Sequence, residues 1–159
     1  MCNLPIELPE RLLPAEGDEH APDALVLVVV GAQLDCERID RPLAYRLCRR
    51  LAEAIDGDGR PDLPRPMPCT DLWFVNNHRL RQRPAIAIGR PDANAGTAYL
   101  ASRIPTAFAV DDRIRIHLDP AFEQAGACFW GTRPEDAEAA LDVFVDRYLH
   151  DWVAALPVS

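Results

Sequence analysis

The chain has 159 residues, a formal charge of −8 at pH 7 and 48% hydrophobic residues. That length and composition fit one globular domain with a single ordinary core. The negative charge disfavours nucleic acids and anionic membranes as partners, because both would be repelled by the net field of the protein.

The basic side chains are all of one kind. Every one of the 17 basic positions holds Arg, so the chain has no ammonium side chain. Phosphate loops of the Walker type, protein kinases and Schiff-base enzymes each need a lysine for their chemistry. The composition therefore excludes these three classes.

The cysteines indicate a reducing compartment. They are five in number, widely spaced and never arranged as a C-x-x-C pair. This pattern predicts neither a disulfide framework nor a structural metal site. No apolar segment of the secretory type precedes residue 24, so the sequence predicts a cytoplasmic protein.

Residues 24–31, Ala-Leu-Val-Leu-Val-Val-Val-Gly, are the stretch around which the rest of the chain can be arranged. They are apolar without alternation and mostly β-branched, which predicts a central strand covered on both faces. Residues 1–23 contain four prolines and no sustained periodicity, and we expect an extended or loosely docked arm there. Residues 24–159 are expected to form one α/β domain.

The next part of the chain predicts one helix and one strand. Asp40 suits an N-cap, Pro42 fits the first turn, and Gly57 ends the helix. Residues 56–68 are rich in Pro and Gly and predict a linker. Residues 71–75, which include Trp73, predict the second strand.

The second half of the chain predicts four strands and two helices. The strands are expected at 84–89, 106–110, 113–118 and 127–130. A helix at about 95–104 is expected to be capped by Asp92 or Asn94. A capping box from Thr132 to Glu135 is expected to start a last helix that runs to about Leu156.

These elements predict a three-layer α/β/α sandwich with a mostly parallel or mixed sheet of about six strands and an antiparallel edge hairpin. The hairpin joins 106–110 to 113–118, and its second strand is expected to be the exposed edge because Arg115 and His117 point outward. Strands 71–75 and 84–89 are about eight residues apart, which leaves open whether they are antiparallel neighbours.

Polar side chains follow several predicted strands directly, which suggests a site at the carboxyl edge of the sheet. Turns and helix caps require the same residue types, so a purely structural role is the alternative for each loop. The candidate ligand-binding residues are Asn76, Asn77, Arg90, Asp92, Asn94, Thr132 and Arg133, and the candidate catalytic residues are Asp35 and His78.

Two functional hypotheses follow from this pattern. The first is a domain that acts by non-covalent ligand binding or assembly, since no nucleophile elbow, lysine or metal motif is present. The second is an enzyme that acts on an anionic, phosphate-bearing small molecule, with Asp35, His78, Arg90 and Asn94 converging in one crevice. A thiol enzyme using Cys36 with His78 is a further alternative.

Neither a cofactor nor a macromolecular ligand is predicted. Gly89 and Gly96 are seven residues apart, whereas the dinucleotide fingerprint needs its first two glycines two apart. Arg79, Arg81 and Arg83 lack interleaved aromatics, so a nucleic-acid surface is not expected. A third hypothesis is that the end of the last helix presents an apolar patch to a second copy of the chain, formed by Trp152, Val153, Leu156 and Val158.

Overall fold

The computed structural model describes residues 24–158, which form a six-stranded mixed sheet with helices on both faces, so the predicted fold class is confirmed. The predicted arm at 1–23 lies outside the described residues. In spatial order the strands are β2-β1-β3-β6-β5-β4. The first four are mutually parallel, and β5 pairs antiparallel with both β6 and β4. The strands are Leu25–Val30 (β1), Arg65–Thr70 (β2), Ala85–Ile88 (β3), Thr106–Val110 (β4), Ile114–Leu118 (β5) and Gly126–Gly131 (β6).

The helices divide between the two faces of the sheet. They are Leu34–Asp58 (α1), Asp71–Asn76 (α2), His78–Arg81 (α3), Ala95–Ala101 (α4), Pro134–Arg147 (α5) and Leu149–Ala154 (α6). One core cluster, which we call the α1 face, joins the sheet to α1, α5 and α6. The other, the α4 face, joins it to α2, α3 and α4.

The apolar run of β1 supplies both cores. Val26, Val28 and Val30 belong to the α1 face, while Leu27 and Val29 belong to the α4 face. All five are completely buried. Because alternate side chains of a strand point to opposite faces, an unbroken apolar run is what a strand in the middle layer requires.

The first helix begins earlier than predicted. It starts at Leu34 and not after Asp40, and it carries Pro42 in its interior. The buried residues Cys36, Asp40 and Ala44 follow at intervals of four, so they continue the helix's inward stripe toward its N-terminus. Packing of this stripe outweighs the hydrogen bond that Pro42 cannot donate. The prediction of Asp40 as the N-cap was therefore wrong.

The second strand was also predicted in the wrong place. Residues 65–70, taken as part of a linker, form β2, whereas 71–75 fall in α2. β2 contains Pro66 and Pro68 and lies at the edge of the sheet, where a missing N–H is tolerated. Since β1 separates β2 from β3, the alternative of antiparallel neighbours does not arise.

Three smaller predictions near the C-terminus are corrected. The exposed edge of the hairpin is β4, because β5 pairs with β6 on its other side. The predicted last helix is divided at Tyr148 into α5 and α6. Trp152 and Leu156, expected on an apolar surface patch, are buried in the core of the α1 face, so they are not available to a second copy.

None of the helices in the described residues has the length and apolar composition needed to cross a bilayer.

Candidate functional site

A crevice lies at the carboxyl edge of the sheet, where the topology changes direction. The chain leaves β1 toward β2 on one side and later returns as β3 on the other. In open α/β sheets such a switch point separates the loops that follow the two strands and leaves room for a ligand. The loops after β1, β3 and β6 all reach this edge.

The crevice contains a cavity of about 220 Å³. Ligand pockets for drug-sized molecules are commonly about 300–1,000 Å³, so this cavity suits a smaller molecule. Its walls combine apolar side chains with four charged ones. The lining residues are Asp35, Cys36, Ile39, Asp40, Gly89, Arg90, Ala93, Gly131, Thr132, Arg133, Pro134 and Ala137.

Asp40 is the buried charged group of this cavity. It projects from the second turn of α1 and is only 9% exposed. Burial raises its pKa from 3.8 to about 6, and the neighbouring Cys36 thiol opposes a small part of this rise. The carboxyl group can therefore change its protonation state close to neutral pH.

Gly89 makes room for that carboxyl. A Cβ at this position would stand 2.8 Å from Asp40 Oδ2, closer than a real Cβ contact allows. Its φ of +117° is also a conformation that other residues rarely adopt. The glycine at the end of β3 thus lets the α1 carboxyl approach the backbone of the neighbouring loop.

Cys36 lies one helical turn from Asp40 and is not an activated thiol. Its Sγ donates to the carbonyl oxygen of Ala93 at 3.6 Å. Burial and the nearby carboxyl of Asp40 raise its pKa to about 11. The thiol stays protonated at neutral pH, so the structure gives no support to the thiol-enzyme alternative.

Asp71 and Asn94 hold the loops around the crevice in place. The Asp71 carboxylate accepts hydrogen bonds from the backbone N–H groups of Ala32 at 3.0 Å and Ala95 at 2.8 Å. The Asn94 amide donates to the carbonyl oxygens of Val29 at 3.1 Å and Ile88 at 2.8 Å. Together the two side chains tie the ends of β1, β2 and β3 to the start of α4.

The two long helices that border the crevice begin without side-chain caps. Gln33 precedes α1 and Arg133 precedes α5, and neither side chain accepts a hydrogen bond from the first turn of its helix. The predicted capping box is therefore wrong: the Thr132 hydroxyl donates instead to the carbonyl oxygen of Asp112. First-turn N–H groups without a side-chain partner can bond water or a ligand.

The arginines on the rim already have carboxylate partners. Arg90 Nη2 lies 2.7 Å from Asp92 Oδ2, and both side chains are about half exposed or more. Arg133 Nε lies 3.1 Å from Asp136 Oδ2. Hydrogen bonds from Arg113 and Arg133 lower the pKa of Asp136. A ligand anion would have to compete with these carboxylates for either rim arginine.

The predicted site residues fall into three groups. Asp35, Arg90, Thr132 and Arg133 line the cavity. Asp92 and Asn94 belong to the same turn as Arg90 but contribute an ion pair and a buried framework amide, respectively. Asn76, Asn77 and His78 lie at the junction of α2 and α3, which packs on the α4 face. Of the four side chains expected to converge for catalysis, only Asp35 and Arg90 share the cavity.

Two important carboxyl groups were missed by sequence reasoning. The sequence predicts Asp71 as the first residue of a strand, and no feature of the neighbouring residues distinguishes it. Asp40 could have been found, because it lies four residues from both Cys36 and Ala44 on an inward helical stripe. A carboxyl group at a core position is unusual enough to suggest a functional role.

Neither a metal centre nor a known relative identifies the ligand. Within residues 24–158, no group of three or more His, Cys, Asp or Glu side chains is placed to hold a metal ion. Comparison of the chain with models of protein families, with curated proteins and with solved structures found no match.

Proposed function

We propose that this protein binds a small molecule non-covalently in the crevice, and that the ligand presents an N–H or O–H donor to Asp40. The observation that carries the proposal is the Asp40 carboxyl group, which is buried in the wall of a cavity and forms no ion pair with an arginine among residues 24–158. A buried charged group without such a partner costs free energy unless something supplies hydrogen bonds to it. A donor on a ligand would do so.

The surrounding groups favour a ligand that also has an acceptor. The first turn of α1, which has no side-chain cap, borders the crevice with its backbone N–H groups and the positive end of its helix dipole. At the start of α5, Pro134 has no N–H and the N–H groups of Asp136 and Ala137 donate to the carbonyl oxygen of Arg133, so this helix contributes mainly its dipole. An oxygen of the ligand could accept from the N–H groups of α1 without displacing an ion pair. Ile39, Pro134 and Ala137 provide apolar contact for the body of the molecule.

The proposal predicts that binding strengthens as pH rises through about 6. Above that pH Asp40 is ionised and accepts from an amine, hydroxyl or amide of the ligand, whereas below it the protonated carboxyl is a poorer acceptor. A cationic donor would show the larger change, since it also gains the charge interaction.

The experiment is a thermal-shift screen at pH 7.5 with amino acids, polyamines, nucleosides, sugars and sugar phosphates, followed by calorimetry on any compound that stabilises the protein. A ligand at 100 times its Kd adds about 2.7 kcal/mol of stability, which such a screen detects. We expect Asp40→Asn to weaken binding by at least about tenfold, because it removes a charge-assisted hydrogen bond.

Asp146→Asn is the matched control for this screen. Asp146 is an exposed carboxylate on α5 outside the cavity lining, so its loss changes the net charge equally and should leave affinity within twofold. Equal affinities of parent and Asp40→Asn would contradict the proposal. So would a screen in which no compound stabilises the parent protein.

A second candidate is an enzyme in which Asp40 acts as a general acid or base on an anionic substrate. It is favoured by the pKa of about 6, since proton transfer is most effective when the pKa lies near the working pH. Arg90 and Arg133 would position the anionic group after exchanging their carboxylate partners. Turnover of a phosphate ester or carboxylate ester by the parent, abolished in Asp40→Asn and retained in Asp146→Asn, would establish this activity. Turnover that persists in Asp40→Asn would exclude the assigned role.

A further inference from the structure

A second cavity lies at the amino edge of the sheet, on the α4 face and away from the crevice. It has a volume of about 170 Å³ and is bordered by the residues that lead into β3, by the end of α4 and by Gly126 at the start of β6. Arg81, Arg83 and Arg103 all line it, and so does Tyr99. No carboxylate is among its described lining residues.

Tyr99 holds two of these guanidinium groups at the cavity. The guanidinium carbon of Arg103 stands 3.9 Å from the centroid of the Tyr99 ring, and that of Arg81 stands 5.8 Å from it. Cation–π contacts of this kind stabilise the positions of arginines that have no ion pair. The ring itself is fixed by an edge-on contact with Phe74 of the core. The two cations are therefore placed by the framework of the protein.

The positive charge of Arg81 and Arg103 is not balanced within the part of the chain that the structure describes. Arg103 Nη1 donates to two neutral acceptors, the carbonyl oxygen of Tyr99 and the hydroxyl of Ser102. The Nε of Arg81 is buried and has no hydrogen-bond acceptor among the described residues. A buried guanidinium N–H without an acceptor is unusual, because leaving it unpaired costs free energy.

We propose that this cavity is a separate binding site for a phosphate group, held by Arg81 and Arg103. A tetrahedral dianion can accept from two guanidinium groups at once, and the planar donor fork of arginine matches its oxygens. The buried Nε of Arg81 would gain an acceptor. The side-chain amide of Gln124, which also lines the cavity, can donate to a further oxygen.

This proposal separates the sites by chemistry. The crevice offers a carboxyl group to a donor, whereas the arginine-lined cavity offers donors to an anion. Since the two lie at opposite edges of the sheet, a ligand of the size that either accepts cannot occupy both. The arginine site can therefore be tested, and can fail, independently of the function proposed for the crevice.

The direct test uses the intact protein labelled with ¹⁵N at arginine and titrated with inorganic phosphate at constant ionic strength. We expect the Nε–Hε signals of Arg81 and Arg103 to shift along a saturable curve, while that of Arg49, an exposed arginine on α1, does not. Shifts that are linear in concentration, or equal to those of Arg49, would show an adventitious ion only and overturn the proposal.

Charge-matched variants give the second test. Arg81→Gln and Arg103→Gln should each raise the Kd for inorganic phosphate by about tenfold, since each removes charge-assisted hydrogen bonds. Arg49→Gln, which removes the same charge outside both cavities, should leave it within twofold. Parent-like affinity in both Arg81→Gln and Arg103→Gln would overturn the site. If either variant fails to fold, the titration of the labelled parent decides the question alone.

Discussion

The helices on the two faces of the sheet begin in different ways. On the α4 face, α2, α3 and α4 each start from a residue whose side chain accepts from first-turn N–H groups, namely Thr70, Asn77 and Asn94. On the α1 face, α1 and α5 start without such a cap and border a cavity. The helices of the α4 face begin with side-chain caps, whereas on the α1 face the start of α1 has no such cap and the Asp40 carboxyl forms no ion pair among the described residues. This difference separates the supporting part of the molecule from the part suited to a ligand.

The largest expected effect is on the capped face. Asn94→Ala should destabilise the protein by roughly 3–5 kcal/mol, because it leaves buried carbonyls without a donor and the start of α4 without an acceptor. Asn77→Ala is the matched control, since that amide caps only the short and partly exposed α3, and about 1 kcal/mol is expected. Urea denaturation measures both. Equal losses would remove the special role given to Asn94.

The next effect tests the uncapped face and depends on pH. The pKa of Asp40 is raised from 3.8 to about 6 in the folded protein, so the parent loses stability as pH rises from below 4 through 6. Asn is neutral throughout and avoids this loss. Asp40→Asn should match the parent near pH 4 and exceed it by roughly 3 kcal/mol at pH 7.5.

Denaturation of both proteins at the two pH values measures the difference, with Asp146→Asn as a charge control that should track the parent. A gain of the same size at pH 4 and pH 7.5 would mean that Asp40 is not the titrating group. A gain in stability accompanied by weaker ligand binding is the combination that a residue kept for function should produce.

A smaller effect comes from adding the cap that α1 lacks. Gln33→Asp places a short carboxylate at the N-cap position, where it can accept from the first-turn N–H groups and interact favourably with the helix dipole. We expect a gain of about 1 kcal/mol in stability together with weaker ligand binding in the crevice. Unchanged binding would show that the ligand does not use these N–H groups.

The smallest effect is expected at the start of α2. The Thr70 hydroxyl accepts from the N–H of Trp73 at 3.4 Å, a long hydrogen bond in an exposed position. Thr70→Ala should therefore cost only about 0.5 kcal/mol, at the lower end of the range for caps, as measured by urea denaturation. A loss above 2 kcal/mol would indicate that this short helix contributes more to the α4 face than its length implies.

The elements that could be predicted from the sequence are those whose local pattern and tertiary role agree. The run 25–30 is apolar throughout because it is buried on both faces, and Asn94 follows a strand and precedes a helix, where a cap is required. The start of α1 and the position of β2 were missed because proline gives a strong local signal. At Pro42, packing of the buried stripe of α1 outweighs the loss of one backbone hydrogen bond. Pro66 and Pro68 are tolerated because β2 is an edge strand of the described sheet.

The candidate site could be predicted only in part. Asp35, Arg90, Thr132 and Arg133, predicted at the carboxyl edge of the sheet, do line one cavity there, because loops that follow parallel strands gather at the same edge. The sequence predicts His78 at the same edge only because residues 71–75, which fall in α2, have the composition of a strand. The contacts of Asp71 depend on which strands are neighbours, and no short sequence pattern encodes that arrangement.

The two prolines of β2 also affect the tendency of the protein to self-associate through the edge of its sheet. The unpaired N–H and C=O groups of an edge strand can form hydrogen bonds with a strand of another chain, which leads to aggregation unless this pairing is blocked. Positions 66 and 68 have no N–H to offer, so an incoming strand would find a broken ladder along this border. Replacing either proline with an alternative that favours extended chains, such as valine, would restore the missing donor and open a route to aggregation.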